Sequence, residues 1–167
     1  MLLIREIYES IPPNSKLILS SNNKIIHHLD QNTYCFSNDI FDHSILGNQI
    51  LGIAKNESSV ICTIVLDEKI VIQLLEENPQ LISHDLRQAF NLIDASQFQL
   101  ISRAIELAAW LKETKYCSLC GQSAEYNTKE QAFVCSCSNK IFYPSIAPCI
   151  ITLITNGDRK STRLNSS

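Results

Sequence analysis

Short apolar runs separated by polar breaks extend along residues 1–78, a pattern typical of β-strands. The runs are Lys16–Leu19, Lys24–Ile26, Ile50–Ala54, Val60–Leu66 and Ile70–Ile72. The breaks Ser21–Asn23 and Asn56–Ser58 contain asparagine, which tolerates a left-handed backbone, so each break predicts a hairpin turn. The pattern therefore predicts an N-terminal antiparallel β-rich domain over residues 1–78.

The spacing of the apolar residues becomes helical after Pro79. A first helix is predicted by apolar residues three or four positions apart. These residues are Leu86, Phe90 and Ile93. Ser96 and Gln99 have the spacing of a capping box, which predicts the start of a second helix that ends near Thr114. Residues 79–114 are therefore predicted to form a helical connector.

The second predicted helix carries an apolar stripe wide enough to be buried on two sides. The stripe consists of Leu100, Ala104, Leu107 and Leu111, widened by Ile101, Ile105 and Ala108. Arg103 and Glu106 lie on the polar remainder and are expected to form a solvated ion pair. Trp110 is expected to anchor the packing between this helix and the segment that follows.

Four of the seven cysteines lie close together in the second half of the chain. Cys117 and Cys120 are separated by two residues, a spacing that lets both thiolates face one metal ion. Cys135 and Cys137 follow after fourteen intervening residues, which suits a short hairpin that brings the two pairs together. Four thiolates leave no open position for water, so the sequence predicts a structural zinc site. Because the second pair is Cys-x-Cys, it stays open whether Cys137 is the fourth ligand.

Disulfides are the alternative use of these cysteines. The cysteine count is odd, and the N-terminal residues lack the apolar segment and cleavage site of a secretory signal, which favours a reducing, cytoplasmic location. Gly121 follows the first pair, where a residue without Cβ lets the backbone turn close to the sulfurs. A zinc ribbon over residues 115–144 is therefore the favoured interpretation. Cys35 and Cys62, near the predicted strands, are expected to be core residues.

Composition narrows the possible partners. The 167 residues are 45% hydrophobic and carry 14 basic and 17 acidic side chains, for a net charge of −3. This balance gives no overall attraction to a nucleic-acid backbone. No apolar run approaches the roughly 18 residues that cross a bilayer, so no membrane partner is expected.

A strongly apolar run, Cys149–Thr155, follows the predicted ribbon and ends at the turn-forming pair Asn156–Gly157. An apolar strand without a sheet is an aggregation hazard, so we interpret residues 145–157 as the start of a further domain. Residues 158–167 are polar and contain one apolar side chain, Leu164. We expect them to be a non-native tail.

Together, the second helix, the ribbon and the final strand resemble the front part of the NADH pyrophosphatase (NAD+ diphosphatase) family of Nudix hydrolases. The matching residues are Leu86-Arg87-Gln88, Arg103-Ala104 with Leu107 and Trp110, Tyr116-Cys-x-x-Cys-Gly121, Glu130, Cys135, Tyr143-Pro144 and Ala147-Pro-Cys-Ile-Ile. The resemblance is specific from about residue 83 to residue 155, and residues 145–157 would open the Nudix domain.

The resemblance implies an enzyme that cleaves the pyrophosphate of NAD(H) to AMP and nicotinamide mononucleotide, and some members are similar to enzymes that remove an NAD cap from RNA. The family's chemistry depends on a later Nudix box whose glutamates hold Mg²⁺ or Mn²⁺. The box pattern G-x5-E-x7-R-E-x2-E-E-x-G does not occur in this sequence. No catalytic residue is therefore expected here, and the chain alone is expected to be inactive.

The resemblance also implies three substrate-binding residues. Tyr143 matches a tyrosine that stacks on a flat ring of the dinucleotide, reaching across a homodimer interface. Glu130 matches a carboxylate implicated in substrate contact. Arg87 matches a basic residue that could bind a phosphate. The alternatives are an ordinary packed tyrosine at Tyr143 and solvated surface charges at Glu130 and Arg87.

The competing hypothesis is a stand-alone zinc-ribbon module that binds protein or nucleic acid. Basic residues in and beside the ribbon support it, and the acidic net charge opposes it. These residues are Lys112, Lys115, Lys129 and Lys140. The reading frame beyond Gly157 discriminates between the two hypotheses, because a Nudix box encoded there supports the hydrolase over the stand-alone module.

Overall fold

A computed structural model describes residues 1–37, 50–137 and 139–145. The predicted strand Cys149–Thr155, its turn and the predicted non-native tail lie outside these residues, as does the predicted start of a Nudix domain beyond residue 145. The described residues form a mixed sheet, a small antiparallel sheet and three helices, which confirms the α+β class.

The strands are β1 (Leu2–Tyr8), β2 (Lys16–Ser21), β3 (Lys24–His28), β4 (Phe36–Ser37), β5 (Ile50–Lys55), β6 (Val60–Val65), β7 (Leu81–Asp85), β8 (Glu125–Asn127), β9 (Ala132–Val134) and β10 (Ile141–Phe142), and the helices are α1 (Glu68–Glu77), α2 (Leu86–Phe90) and α3 (Ala95–Glu113). Within the described ranges, seven strands form one sheet in the order β1-β5-β6-β2-β3-β7, with β4 beside the start of β2. A separate antiparallel sheet has the order β10-β9-β8.

The large sheet is mixed, so the prediction of an antiparallel β-rich domain holds for most strand pairs and is wrong for β2 and β6. Strand β2 runs parallel to β6, with Ile18 paired to Thr63, and antiparallel to β3. Residues 17–21 of β2 are buried on both faces, as is typical of a central strand. Apolar runs do not encode strand direction, because parallel and antiparallel partners bury the same side chains.

Both predicted asparagine turns are confirmed. Asn22 and Asn23 join β2 to β3 and have φ values of 47° and 62°, the left-handed conformation of a two-residue hairpin turn. Asn56 opens the turn between β5 and β6, where its side-chain oxygen accepts from the backbone N–H of Ser58 and of Ser59 at 3.0 and 2.8 Å.

The predicted strand at Ile70–Ile72 is wrong, because these residues lie in α1. The helix buries Val71 and Leu74, three positions apart, while Ile72 is exposed. A run of three apolar residues cannot distinguish a strand from one turn of a helix. The helical spacing of the buried pair decides the outcome, because it lets α1 cover one face of the sheet.

The predicted helical connector begins instead with β7, which pairs with β3 and extends the large sheet past residue 78. Helix α2 then starts at a capping box in which the Asp85 carboxylate accepts from the backbone N–H of Gln88 and the Gln88 side chain accepts from that of Asp85. The strand and the first helix of this segment therefore meet without a loop.

The N-cap of α3 is Asp94, so the predicted Ser96–Gln99 capping box is wrong. The Asp94 carboxylate accepts from the backbone N–H groups of Ser96 and Gln97 at 2.8 and 2.9 Å. Aspartate at this position satisfies the free N–H groups of the first turn, and its negative charge interacts favourably with the partial positive charge of the helix N-terminus. The helix consequently starts slightly earlier than the sequence predicted.

Helix α3 packs its predicted apolar stripe against one face of the large sheet, with Leu100 and Ile105 only partly buried. Its buried residues are Ile101, Ala104, Leu107, Ala108, Trp110 and Leu111. They join a cluster that includes Ile18, Ile25 and Leu51 of the sheet. The opposite face of the sheet packs against α1. Helix α3 thus contacts both the sheet and the cysteine-containing segment.

Arg103 does not form the predicted pair with Glu106; within the described residues, the one ion pair joins Lys55 to Glu6. The Arg103 guanidinium instead donates from Nε to the carbonyl oxygen of Ile53 at 3.0 Å and from Nη2 to the carbonyl oxygen of Ile4 at 2.8 Å. Arg103 therefore fastens α3 to β5 and β1.

Replacing Arg103 with methionine should lower the free energy of unfolding by about 1–3 kcal/mol, because two partly buried carbonyl groups lose charged donors. Urea denaturation of the purified chain measures this. Glu106→Gln is the matched control and should change stability by less than about 0.5 kcal/mol, as exposed substitutions usually do. Equal effects of the two variants would restore the solvated-pair interpretation.

Candidate metal centre

The three-stranded sheet of β8, β9 and β10 carries the four clustered cysteines in the loops at its edges. In the first loop, the backbone N–H of Cys117 donates to the carbonyl of Gln122 at 2.7 Å, and that of Gly121 donates to the carbonyl of Cys117 at 2.8 Å. Gly121 has a φ of 71°, which a residue without Cβ adopts at little cost. In the second loop, the N–H of Cys135 donates to the carbonyl of Lys140 at 3.0 Å. Each loop is thus a tight turn around its own pair of sulfurs.

The four sulfur atoms lie within 4.8 Å of one another. The Cys120 sulfur is 3.5 Å from that of Cys135 and 2.8 Å from that of Cys137, and the last two are 3.0 Å apart. Cys117 completes the group. The sequence left the role of Cys137 open, and the structure places its sulfur among the other three.

The environment of the sulfurs changes their proton affinities. Hydrogen bonding from the Cys137 thiol lowers the pKa of Cys135 to about 6, and the same neighbour raises the pKa of Cys120 to about 12. The backbone N–H of Leu119 donates to the Cys117 sulfur at 3.4 Å. One thiolate is therefore favoured near neutral pH, and a bound cation would be needed to hold all four deprotonated.

This donor set fits a tetrahedral metal ion. With zinc–sulfur bonds of about 2.3 Å, four sulfurs at the corners of a tetrahedron lie about 3.8 Å apart. The four sulfurs here lie within 4.8 Å of one another, and the three separations given above are 2.8–3.5 Å, so they are close enough to share one ion. Cys117 and Cys135 are buried, while Cys120 and Cys137 are exposed. The described cysteines outside the cluster, Cys35 and Cys62, are free thiols packed in or against the core, as expected.

Replacing Cys137 with alanine should reduce metal affinity by at least about tenfold, because the site then retains three sulfurs and must complete its coordination with water. Metal content after dialysis against a graded series of chelator concentrations measures this, starting from about one ion per chain in the wild type. Cys35→Ala is the control, since that thiol lies outside the cluster. Wild-type retention of metal by the Cys137 variant would remove this residue from the ligand set.

The metal-centre segment is docked against the rest of the molecule by aromatic side chains. The Trp110 indole N–H donates to the carbonyl of Phe142 at 3.2 Å, and its ring lies 5.1 Å from that of Phe133. The Tyr126 hydroxyl donates to the carbonyl of Arg5 on β1. Trp110 is therefore the packing anchor that the sequence predicted.

Tyr143 and Glu130, two of the three candidate substrate-binding residues, are in direct contact. The Tyr143 hydroxyl donates to Oε2 of Glu130 at 2.6 Å, a bond that raises the pKa of Tyr143. The tyrosine side chain is 47% exposed. The Arg5 guanidinium lies over its ring, 5.8 Å from the centroid. Sequence reasoning missed Arg5, because no motif connects the first strand with the ribbon.

Several curated proteins similar to this chain share one description. The chain is 36% identical over 87 residues to the NAD-capped RNA hydrolase NudC of Enterobacter sp. (strain 638), covering 52% of this chain and 33% of that protein. For the NudC of Escherichia coli O157:H7 the identity is 34% over 87 residues, covering 52% and 34%. For that of Yersinia enterocolitica it is 35% over 81 residues, covering 47% and 31%. About half of this chain is similar to part of NudC.

The NudC similarity confirms the resemblance found in the sequence. The chain spans about a third of the length of the curated relatives it matches. No protein-family model matches the sequence. Among the described residues, no helix is both long and apolar enough to cross a membrane.

Arg87, the third candidate substrate-binding residue, lies on α2, apart from the ribbon in sequence. Its neighbours around a shallow cavity are Leu86, Phe90, Asn91 and Phe98. Within the described residues, no hydrogen bond or ion pair joins Arg87 to Tyr143 or Glu130. The structure thus brings two of the three candidates together and leaves Arg87 on a different element.

Proposed function

We propose that this chain is the N-terminal and zinc-ribbon part of a hydrolase that cleaves the pyrophosphate of NAD(H), and of NAD-capped RNA, to release AMP or 5′-phosphorylated RNA and nicotinamide mononucleotide. The observation that carries the proposal is the exposed ring of Tyr143, which directly follows strand β10. Its hydroxyl is bonded to Glu130, and β10 itself follows the cluster of four cysteine sulfurs. The NudC relatives, described as NAD-capped RNA hydrolases, support it over about half of the chain.

In this proposal the metal is Zn²⁺ and its role is structural. Four thiolates fill a tetrahedral site and leave no position for a water or substrate ligand. The ion holds the two cysteine loops together and thereby fixes β10, which leads from Cys137 to Tyr143. The catalytic Mg²⁺ or Mn²⁺ ions belong to a Nudix domain encoded beyond residue 157, so the chain alone is inactive.

Tyr143 supplies a flat aromatic surface for a ring of the dinucleotide, and stacking accepts such a ring without a fixed hydrogen-bond pattern. Glu130 orients this ring by accepting a hydrogen bond from its hydroxyl at 2.6 Å. Arg87 would bind a phosphate from α2, and the ligand would complete its site at the interface of a homodimer. The enzyme is cytoplasmic in this proposal.

Replacing Tyr143 with alanine should weaken binding of NAD to the zinc-loaded chain by at least about fivefold, since stacking on an aromatic side chain contributes about 1–3 kcal/mol per base. Isothermal titration calorimetry with NAD measures this. Tyr116→Ala removes another exposed ribbon tyrosine, 58% accessible, and should leave the dissociation constant unchanged. If both variants bind NAD like the wild type, the substrate role of Tyr143 is rejected.

The competing zinc-ribbon module makes different predictions. It requires RNA to bind equally well with and without an NAD cap, through basic residues such as Lys112 and Lys129. It also requires that the reading frame beyond Gly157 encode no Nudix box. A capped RNA that binds more tightly than its uncapped counterpart, together with such a box in frame, supports the hydrolase.

A further inference from the structure

Arg5 places an unpaired positive charge beside the Tyr143 ring. Its guanidinium carbon lies 5.8 Å from the ring centroid. Within the described residues, no hydrogen bond or ion pair involves the Arg5 side chain, whose five N–H donors are thus uncommitted. A partly buried guanidinium without an acceptor favours an external anion as its partner.

The charged groups around Arg5 leave this charge uncompensated. Glu6, next along β1, is already paired with Lys55 at 2.8 Å. Arg103 is close enough to Arg5 for the two cations to disfavour each other, and its own donors are used by backbone carbonyls. Glu130 is bonded to the Tyr143 hydroxyl and forms no ion pair with Arg5.

We propose that Arg5 is the phosphate-binding arm of a nucleotide site whose ring-binding surface is Tyr143. The ligand class is a nucleoside monophosphate unit, with its flat base on the tyrosine and its phosphate on the guanidinium. Arginine suits this role because its planar fork donates two parallel hydrogen bonds to phosphate oxygens. The Glu130 carboxylate repels a phosphate from the hydroxyl side of the ring and so favours the Arg5 side.

The backbone around Arg5 is held independently of its side chain. The Arg5 carbonyl accepts from the Tyr126 hydroxyl, and the Ile4 carbonyl accepts from Arg103 at 2.8 Å. The strand therefore stays in place when the Arg5 side chain is shortened. This makes Arg5 testable without loss of the fold.

The proposal rests on the proposed function and deepens it, since it adds a phosphate contact to the Tyr143 site. The test compares nicotinamide mononucleotide with nicotinamide riboside, which lacks the phosphate, on the full zinc-loaded chain by NMR titration. The wild type should bind the mononucleotide about tenfold more tightly than the riboside. Arg5→Ala should bring this ratio near one while riboside affinity stays within about twofold, and Arg5→Lys should retain part of the preference.

Lys69→Ala is the matched control, because it removes one positive charge from the exposed surface of α1. It should retain the tenfold preference. The Arg5 proposal is overturned if Arg5→Ala also retains the tenfold preference, or if Lys69→Ala loses the preference equally. In that case, weaker binding of both ligands by Tyr143→Ala would leave the proposed function standing. If the wild type binds neither ligand, both proposals fail.

Discussion

Replacing Cys117 with serine should release the metal and unfold residues 116–144 while the large sheet stays folded. The ribbon's strands have three, three and two residues, too few to supply a core that is stable on its own. In zinc-finger peptides, zinc binding contributes roughly 10–16 kcal/mol of apparent folding free energy at neutral pH. The metal is therefore the main source of stability for this segment. Serine is a poor zinc ligand and cannot replace the buried sulfur.

Backbone amide NMR spectra and metal analysis of the same sample measure this result. Signals from residues 116–144 should collapse into the narrow range of an unfolded chain, and the exposed Tyr143 ring should lose its contact with Glu130. Signals from β2 and β6 should persist. The apolar cluster between these strands and α1 includes Leu17 and Ile64 but no ribbon residue, so it does not depend on the metal. Cys35→Ser should change neither the ribbon signals nor the metal content. Native shifts throughout the ribbon in the Cys117 variant with chelator present would contradict a metal-dependent fold.

The metal centre was predictable because its geometry is local. Cys117 and Cys120 share one tight turn, and a two-residue spacing fixes the direction of both sulfurs. The inclusion of Cys137 could not be decided from the sequence. Its position depends on the turn in which the Cys135 N–H bonds to the Lys140 carbonyl, a feature that spacing alone does not specify.

The large sheet was predictable in part. The structure confirms the apolar runs predicted to form β2, β3, β5 and β6, and both asparagine turns. These features are set by residues close together in the sequence. The parallel pairing of β2 with β6 joins residues such as Ile18 and Thr63, which are far apart in sequence. Pairing over such distances is decided by burial in the whole sheet, so strand β7 and the mixed sheet were missed.

Long polar side chains were the least predictable part of the candidate site. Arg103 has the spacing of a helix-surface ion pair with Glu106, yet it donates to carbonyls of β1 and β5. Arg5 has no sequence pattern that connects it with Tyr143. An arginine side chain reaches several ångströms and covers apolar surface with its stem, so its partner is chosen by tertiary packing.

Replacing Trp110 with alanine should lower the free energy of unfolding by about 3–5 kcal/mol, because a nearly buried indole leaves a cavity between α3 and the ribbon. Trp110→Phe is the matched variant: it keeps a ring against Phe133 but loses the N–H donor to the Phe142 carbonyl, and should lower it by about 1–3 kcal/mol. Urea denaturation gives both values. Both variants should still bind one metal ion, because the four sulfurs are positioned by their own loops. The alanine variant should bind NAD more weakly, because Tyr143 loses its position beside Arg5. Loss of metal from Trp110→Ala would instead show that the ribbon's fold depends on α3, and the local account of the metal centre would be wrong.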